Sequence, residues 1–545
     1  MISKSFIIYL SAFTILVVTL QLILARFNDV ERYHDDVPNM LESMIRNGDV
    51  HKYIDNFKMK EMSLIYENRR LESNMVNASL TEVRPCNELI YTLTPSELRQ
   101  IMTDYIDILL TSSFPFRDAL DKWIERKYVY GIKAYKLCAS CDEFRSEYGG
   151  SGETSSNAFD TYCGDGKYAA DVNVSGLLTI PIDEDGEFLE NDASPLALWS
   201  RWVDYNPLAC PSEQFHNDTY WGNNIDDFEE RGYVPSNFFT AGIGIVTLLP
   251  DYVGFGESLL LDPIPATKRG YQTSAVPLVL KAKDFLVNEF TEGKISLSDK
   301  VVISGYSEGG MASVVIGNAL HDVGFNVRTQ TGGGTFDFTS VNSLFNVFLK
   351  SRLGQRIAFV GWAASLSSVN PDLPNTNQGQ DFLSSEWRDT VLDWFRFKGD
   401  IVETDDIRII LENMTQVEYT ALYNQNVRDM VTKAQEAEDV QDVCEVAIEG
   451  ETDLFCDALK LNEVKKEVAE AKHVTNLCWA ADDQMFPKEA NIPSLWNRLR
   501  NPNLRTVIIP EGINDSGESG YEYSHTVAGG YCHVLFALRF HAGLY

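Results

Sequence analysis

At 545 residues, of which 44% are hydrophobic and 11% aromatic, the chain is too long for one minimal domain and has ample material for a buried core, which excludes global disorder. The 79 acidic and 46 basic residues give a net charge of −33. A surface this negative repels phosphate backbones and argues against nucleic-acid binding. We interpret the acidic excess as a solubilising surface rather than as a set of calcium sites.

Residues 1–27 contain a near-continuous apolar stretch, Phe6–Ala25, of about the length that crosses a bilayer. It is either a signal peptide that is cleaved after Ala25, or an uncleaved signal anchor whose short tail with Lys4 stays in the cytoplasm. The anchor fits the length better. Both interpretations predict that the rest of the chain is luminal or extracellular, membrane-anchored in one case and secreted in the other. Five N-x-S/T sequons are compatible with this location, beginning at Asn77, Asn173, Asn217, Asn413 and Asn514.

The cysteine pattern predicts structural disulfides and no metal. Cys138 and Cys141 have C-x-x-C spacing, but no second pair or nearby histidine cluster completes a zinc site. An odd number of cysteines leaves at least one unpaired if the others form disulfides, and the pairing stays open. The nine are Cys86, Cys138, Cys141, Cys163, Cys210, Cys444, Cys456, Cys478 and Cys532.

The remaining chain divides by its hydrophobic periodicity. Residues 28–127 predict a helical N-terminal extension, in which Pro95–Leu110 has the apolar recurrence of an amphipathic helix. Short β-type runs, later alternating with helices, predict an α/β core over 128–340 and 471–545, and the helix-type periodicity of 341–470 predicts an inserted helical cap. Eight strands are expected in a mostly parallel sheet, at Tyr130–Leu137, Val174–Ile182, Leu196–Val203, Ile243–Leu249, Lys300–Ser304, Val327–Thr331, Val474–Trp479 and Arg505–Ile509.

The stretch 300–320 carries the clearest chemical signal. The β-branched run 301–303 predicts a buried strand, GYSEGG follows at 305–310, and a helix-compatible pattern comes next. An ordinary glycine-rich βα turn could have the same spelling, but strand, G-x-S-x-G and helix in this order indicate a nucleophile elbow. Ser307 is therefore the candidate nucleophile, and the backbone N–H of Glu308 is a candidate donor to an oxyanion.

A nucleophile elbow predicts an acid after a late strand and a histidine near the C terminus, because the triad runs Ser, Asp or Glu, then His along the chain. The sequence CWAADDQMFP at 478–487 offers Asp483, with Asp482 as the fallback one residue earlier. His525 follows the last strand and a loop, and is expected to precede a helix. It would take the proton of Ser307, while Asp483 would hold its imidazole in the right tautomer.

Two other C-terminal histidines, His533 within that predicted helix, from Cys532 to Phe540, and His541 at its end, are expected to be packing or surface residues. Oxyanion stabilisation also needs a second backbone N–H, usually from the loop after the third strand. That loop begins with Trp199–Asp204 and lacks the usual His-Gly pair, so we expect the N–H of Arg201 or Trp202 to serve instead.

Four segments carry a family resemblance: PDYVGFGES at 250–258, GYSEGG at 305–310, ADDQMFP at 481–487 and SHTVAGG at 524–530. Together they resemble the α/β-hydrolase superfamily, and most closely its secretory lipase branch. The resemblance covers about residues 128–340 and 471–545, with no matching motif in the N-terminal extension or the cap. It implies an α/β-hydrolase fold and serine-dependent ester hydrolysis, with Ser307, Asp483 and His525 as the triad.

The expected activity is the hydrolysis of carboxylic esters, with lipids or acylglycerols as the first substrate class. No cofactor is expected, because side chains and backbone amides suffice for this chemistry. The expected partners are a small-molecule or lipid ester and, through the N-terminal segment, the membrane. Two alternatives remain: a serine peptidase of the prolyl or aminopeptidase kind, which needs a charged group to hold a peptide terminus, and an inactive hydrolase fold that serves as a binding module.

Overall fold

The structure is a computed structural model. It describes residues 85–109, 117–140, 172–201, 210–213, 237–259, 261, 266–287, 294–349, 356–367, 382–395, 404–437, 439–446, 453–481, 483, 485–486, 488–509 and 520–541. The predicted anchor Phe6–Ala25 lies outside these ranges. Among the described helices, none combines the length and the apolar character needed to cross a membrane.

A nine-stranded mixed sheet forms the centre of the described structure. Its strand order is β1-β2-β3-β5-β4-β6-β7-β8-β9, with antiparallel pairs from β1 through β3 to β5 and parallel pairs from there to β9. The strands are β1 (Leu89–Leu93), β2 (Gly131–Ser140), β3 (Asn173–Ile182), β4 (Asn191–Ser200), β5 (Val246–Pro250), β6 (Ile295–Tyr306), β7 (Asn326–Gly332), β8 (Val474–Ala480) and β9 (Leu504–Ile509).

All eight predicted strands are present with shifted ends, but the expected number of strands is wrong by one. The additional strand, β1, lies in the stretch predicted as a helical extension. It pairs antiparallel with β2, and a disulfide between Cys86 and Cys138 joins the two segments. Its sequence LIYTL does not alternate between apolar and polar residues, and the strand is partly exposed at the edge of the sheet.

Alternate strand residues enter two hydrophobic cores, one on each face of the sheet. Leu198 and Ile303 belong to the first core, whereas Trp199 and Val302, their neighbours in sequence, belong to the second. Helices α4 (Lys268–Phe285) and α5 (Glu308–Asp322) pack on the first face, as do the helices of the cap. Helices α1 (Pro95–Leu109) and α16 (Gly520–His541) pack on the second.

The helix α1 begins where a capping box predicts a helix start. The backbone N–H of Thr94 donates to Oε2 of Glu97 over 2.7 Å, and the N–H of Glu97 donates to Oγ1 of Thr94 over 3.3 Å. Its observed end, Leu109, is one residue before the predicted one. The remaining helices of the core are α2 (Arg117–Lys127), α3 (Phe238–Ala241), α14 (Lys488–Asn491) and α15 (Leu495–Arg500).

Between residues 341 and 470 the described chain forms helices and no strand of the sheet. Isolated bridges, Ser340 to Asp442 and Leu383 to Tyr423, connect separate parts of this region. Its helices are α6 (Val341–Phe348), α7 (Arg356–Ser367), α8 (Arg388–Phe395), α9 (Thr404–Asn413), α10 (Gln416–Ala421), α11 (Gln425–Glu436), α12 (Asp453–Asn462) and α13 (Lys465–Ala469). They lie between β7 and β8 along the chain, where the cap was expected.

Candidate active site

Ser307 occupies a strained turn between β6 and α5. Its φ is 58° and its ψ is −126°, a backbone conformation that a residue with a side chain rarely adopts. The surrounding hydrogen bonds hold it: its N–H donates to the carbonyl of Gly332 over 3.0 Å, and the N–H of Gly310 donates to its own carbonyl over 2.8 Å. Ser307 precedes α5 without capping it, so the hydroxyl is available for other contacts.

The turn requires glycine where β4, β6 and α5 meet. A Cβ at Gly305 would lie 2.1 Å from the carbonyl oxygen of Gly309, and a Cβ at Gly309 would lie 2.2 Å from the carbonyl oxygen of Ser200. Backbone atoms cannot move away cheaply, so both glycines allow the close approach that the elbow needs.

His525 connects Ser307 to Asp483. Its Nε2 lies 3.0 Å from Oγ of Ser307 and its Nδ1 lies 2.9 Å from Oδ2 of Asp483. Both His525 and Asp483 are buried. The structure therefore brings together the three side chains that the sequence singled out, in the order serine, imidazole and carboxylate.

The surroundings of His525 fix its ring. The ring of Tyr306 lies 5.1 Å from it and that of Phe486 lies 5.6 Å from it, measured between centroids. The carboxylate of Asp483 is held in turn by the backbone. Its Oδ1 accepts hydrogen bonds from the N–H groups of Met485, over 3.1 Å, and Phe486, over 3.0 Å. The carboxylate thus has one oxygen held by the backbone and the other directed at the imidazole. Asp482, the fallback acid, lies outside the described residues.

The expectation that His525 precedes the last helix is wrong. It lies inside α16, which begins at Gly520 rather than near Cys532. The β-branched and glycine residues after His525 have low helix propensity, but packing overrides it. At Gly529 a Cβ would lie 2.9 Å from the ring of Tyr306, so this glycine lets the helix approach the nucleophile strand.

Further along α16, His533 is a packing residue, as expected. Its ring lies 5.5 Å from that of Trp199 and stacks on Phe239. Burial lowers the pKa of His533 to about 4, because the charged imidazolium would lose its solvation there. The side chain of His541 is outside the described set.

The oxyanion donors are placed less completely than the triad. Glu308 begins α5, so its N–H lies at the positive end of a helix directly after the nucleophile. Arg201 follows β4, and its carbonyl oxygen would be 2.7 Å from a Cβ at Gly309, which places its backbone beside the elbow. Trp202 lies outside the described residues. One expected second donor is therefore next to the site, and the other is not described.

The segment PDYVGFGES at 250–258 supports this corner of the site. Asp251 is fully buried and accepts hydrogen bonds from Oγ of Ser175, over 2.5 Å, and from the backbone N–H of Ser212, over 2.8 Å. The hydroxyl of Tyr252 donates to the carbonyl of Arg201 over 3.3 Å. The motif therefore connects β3, β5 and the loop that carries Arg201.

A pocket opens beside Ser307 between the core and the cap. Its apolar wall includes Met311 and Phe486 from the core, and Leu344, Phe359 and Trp362 from the cap helices α6 and α7. The sequence predicted a helical cap over 341–470 but did not identify these lining residues, since nothing in a helical stretch shows which face meets the nucleophile.

Disulfides account for most of the described cysteines. Besides Cys86–Cys138, the pairs are Cys444–Cys456 and Cys478–Cys532, and Cys210 is buried with a free thiol. The pair Cys478–Cys532 joins β8, which leads to Asp483, to α16, which carries His525. In the part of the chain that the structure describes, one group of side chains has metal-binding proximity, Cys86, Cys138 and Glu257, and its two cysteines are consumed by the disulfide.

Comparison with known proteins supports the fold. The sequence matches no protein-family model and no curated protein. Among solved structures, the rice cell wall degrading esterase LipA from Xanthomonas oryzae is 13% identical and has a TM-score of 0.54, over 84% of this chain and 97% of LipA. A protein from Legionella pneumophila, whose assignment as a hydrolase is provisional, is also 13% identical, with a TM-score of 0.52 over 84% and 98% of the two chains.

These likenesses and the sheet order define the class: the chain has the α/β-hydrolase fold, with a nine-stranded, mostly parallel sheet. At this identity they establish the fold alone. What the chain does must be argued from its own residues.

Proposed function

We propose that this protein is a serine hydrolase that cleaves carboxylic esters through an acyl-enzyme. The observation that carries the proposal is the continuous contact from Ser307 to His525 to Asp483, at 3.0 and 2.9 Å, on a strained strand-to-helix turn. A serine in contact with a buried imidazole, which in turn contacts a buried carboxylate, provides the groups that nucleophilic acyl transfer requires.

The first half-reaction follows from this geometry. Oγ of Ser307 attacks the ester carbonyl as Nε2 of His525 takes its proton, and the carboxylate of Asp483 stabilises the imidazolium. The oxyanion that forms would be held by the N–H of Glu308 and by a second N–H from Arg201 or Trp202. His525 then returns the proton to the departing alcohol, and water removes the acyl group by the same steps.

Lipid or acylglycerol esters are the first substrates we propose. The aliphatic and aromatic side chains of Met311, Leu344, Phe359 and Trp362 give the pocket beside Ser307 a largely apolar wall, which suits a hydrocarbon group. The similarity to an esterase fold is consistent with this class but does not choose among esters.

We further propose a secretory location, through Phe6–Ala25 as an anchor or a cleaved signal. Three disulfides among the described residues are typical of an oxidising compartment. Two of the sequon asparagines, Asn173 and Asn413, are exposed. Expression in a eukaryotic cell followed by glycosidase treatment checks the location: loss of mass on treatment supports it, and an unglycosylated protein inside the cytosol contradicts it.

The proposed activity is tested by labelling the purified protein with a fluorophosphonate probe, beside Ser307→Ala and His525→Ala. Labelling should disappear in Ser307→Ala and slow steeply in His525→Ala. A panel of acyl esters and peptide amides then defines the substrate. If the folded wild-type protein is not labelled, the chain is a binding module on a hydrolase fold and the proposal fails.

A further inference from the structure

The pocket beside Ser307 contains a buried polar group that the hydrolysis of a purely apolar ester does not use. Ser343, from cap helix α6, lines the same pocket as the nucleophile. Building on the ester hydrolysis proposed above, we infer that the part of the substrate in this pocket carries a neutral hydroxyl, which Ser343 recognises through a hydrogen bond.

The side chain of Ser343 is buried and lacks a partner. It is only 4% exposed, and its Oγ has no hydrogen-bond partner in the described structure. Its backbone N–H donates to Oγ of Ser340, the residue that caps the start of α6, over 3.5 Å. The cap orders the first turn of the helix, where Ser343 lies. A buried hydroxyl without a partner is destabilising, and a hydrogen-bonding group of a ligand would satisfy it.

Apart from the nucleophile, the other charged and hydroxyl side chains of this wall have a partner or are open to water. The hydroxyl of Tyr271 donates to Oε1 of Glu308 over 2.9 Å. The carboxylate of Asp337 accepts from Nζ of Lys465 over 2.5 Å. The side chain of Thr335 is partly exposed, so water can reach its hydroxyl. Among these groups of the described wall, the hydroxyl on α6 is left for a ligand.

The pocket is small, which limits where the hydroxyl of a substrate can be. Its volume is about 70 Å³. This is under half of the volume of an engineered cavity of about 150 Å³ that takes benzene. Only a few non-hydrogen atoms fit between Ser307 and Ser343, so we expect the hydroxyl within a few bonds of the reacting ester, on its acyl or its alcohol side.

The rest of the wall favours a neutral group. Leu344, Phe359 and Phe486 are apolar and cannot replace the hydration that an ion loses on entry. A ketone or ether oxygen can only accept a hydrogen bond, whereas a hydroxyl can either donate to Ser343 or accept from it. A hydroxyl on a short hydrocarbon group therefore suits both the polar atom and the apolar wall.

A hydroxyl read in this way should determine substrate preference. A site that hydrogen-bonds a hydroxyl of its substrate rejects the analogue that lacks it, because the analogue leaves the buried partner unsatisfied. For one neutral hydrogen bond we expect a preference of about tenfold in kcat/KM.

The test compares pairs of esters of equal size with the full-length protein. The first pair places the hydroxyl on the acyl part: 4-nitrophenyl 3-hydroxybutanoate, in both enantiomers, against 4-nitrophenyl 3-methylbutanoate. The second pair places it on the alcohol part: 2-hydroxyethyl butanoate against propyl butanoate. In at least one pair, kcat/KM should be about tenfold higher for the hydroxylated ester. Which pair shows the preference identifies the side of the ester that enters the pocket.

Ser343→Ala isolates the contribution of the serine, because dividing its ratio of kcat/KM values into the wild-type ratio cancels the intrinsic reactivity of each ester. The ratio should fall about tenfold in this variant. Its Tm should rise, since it buries no unsatisfied hydroxyl. Ser96→Ala is the matched control, the same change at an exposed residue of α1 on the opposite face of the sheet, and should alter neither quantity.

Two results overturn the inference: no preference in either pair, or a preference that survives Ser343→Ala. A lower Tm for Ser343→Ala also overturns it, because the hydroxyl would then stabilise the protein without a ligand. Fluorophosphonate labelling of the wild type separates these results from failure of the proposed hydrolysis. A labelled protein without the preference retains the hydrolase activity and loses only the role of Ser343.

Discussion

Replacing Asp483 with asparagine changes one atom of the triad and should nearly abolish the reactivity of Ser307. In the native site, Oδ1 of Asp483 accepts the N–H groups of Met485 and Phe486, at 3.1 and 3.0 Å, while Oδ2 faces Nδ1 of His525 at 2.9 Å. The same backbone donors would bind the amide oxygen of an asparagine. The amide nitrogen would then face the imidazole.

That nitrogen is a donor, so Nδ1 of His525 must become the acceptor and the proton must lie on Nε2. Nε2 is the atom 3.0 Å from Oγ of Ser307, and once protonated it cannot take the serine proton. We expect the rate of fluorophosphonate labelling to fall by about 10³ to 10⁴. This corresponds to about 4 to 5.5 kcal/mol of activation free energy.

Labelling rates are measured by stopped reaction and in-gel fluorescence from pH 5 to 9, with Asp482→Asn as the matched control. A labelling rate for Asp483→Asn within about tenfold of wild type would refute the reasoning. If Asp482→Asn were the slow variant instead, the fallback acid would be the correct one. Circular dichroism of each variant verifies that the fold is intact.

Three further predictions concern stability. Burial lowers the pKa of His533 from 6.5 to about 4, so the imidazole is neutral in the folded protein and, as the pH falls, the unfolded chain binds a proton first. The free energy of unfolding should therefore fall by about 3 kcal/mol between pH 6.5 and 4 because of this residue. Urea unfolding should show a flatter pH profile for His533→Phe, and an unchanged slope contradicts the assignment. Lys136→Met should destabilise by about 3–5 kcal/mol, because it removes the buried ammonium that pairs with Glu213, 3% exposed, over 2.6 Å and with Glu257 over 2.7 Å; an unfolding midpoint equal to that of wild type disproves it. Gly309→Ala should cost about 3 kcal/mol and slow labelling, since its Cβ would meet the Ser200 carbonyl at 2.2 Å; wild-type stability and reactivity together would argue against that contact.

The elements around Ser307 could be predicted from the sequence because their signals are local. A β-branched run, glycines around a serine and a helix-compatible stretch occupy one continuous segment, and the strained φ of Ser307 is what that spelling predicts. The position of Asp483 after β8 follows from chain order in the same way.

The parts that were missed depend on contacts between distant segments. β1 is recognisable as a strand only through its pairing with β2, about 40 residues later, and through the Cys86–Cys138 disulfide. The start of α16 depends on packing between Gly529 and Tyr306, which no local propensity reveals. The pocket beside Ser307 forms only where the cap helices α6 and α7 meet the core, so its lining residues could not be named from sequence.

The disulfide between β8 and α16 couples the maturation of this protein to its chemistry. Asp483 and His525 both lie inside the loop that Cys478 and Cys532 close, with a sequence separation of 54. Before those thiols are oxidised, only packing aligns the acid and the histidine. The unfolded chain then also has the conformational entropy that the cross-link would remove, which favours unfolding. Under the proposed secretory location, a newly synthesised copy in a reducing compartment would have a less securely assembled triad than one that has reached an oxidising compartment. Under the proposed ester hydrolysis, this difference would protect the esters of the cell that makes the protein.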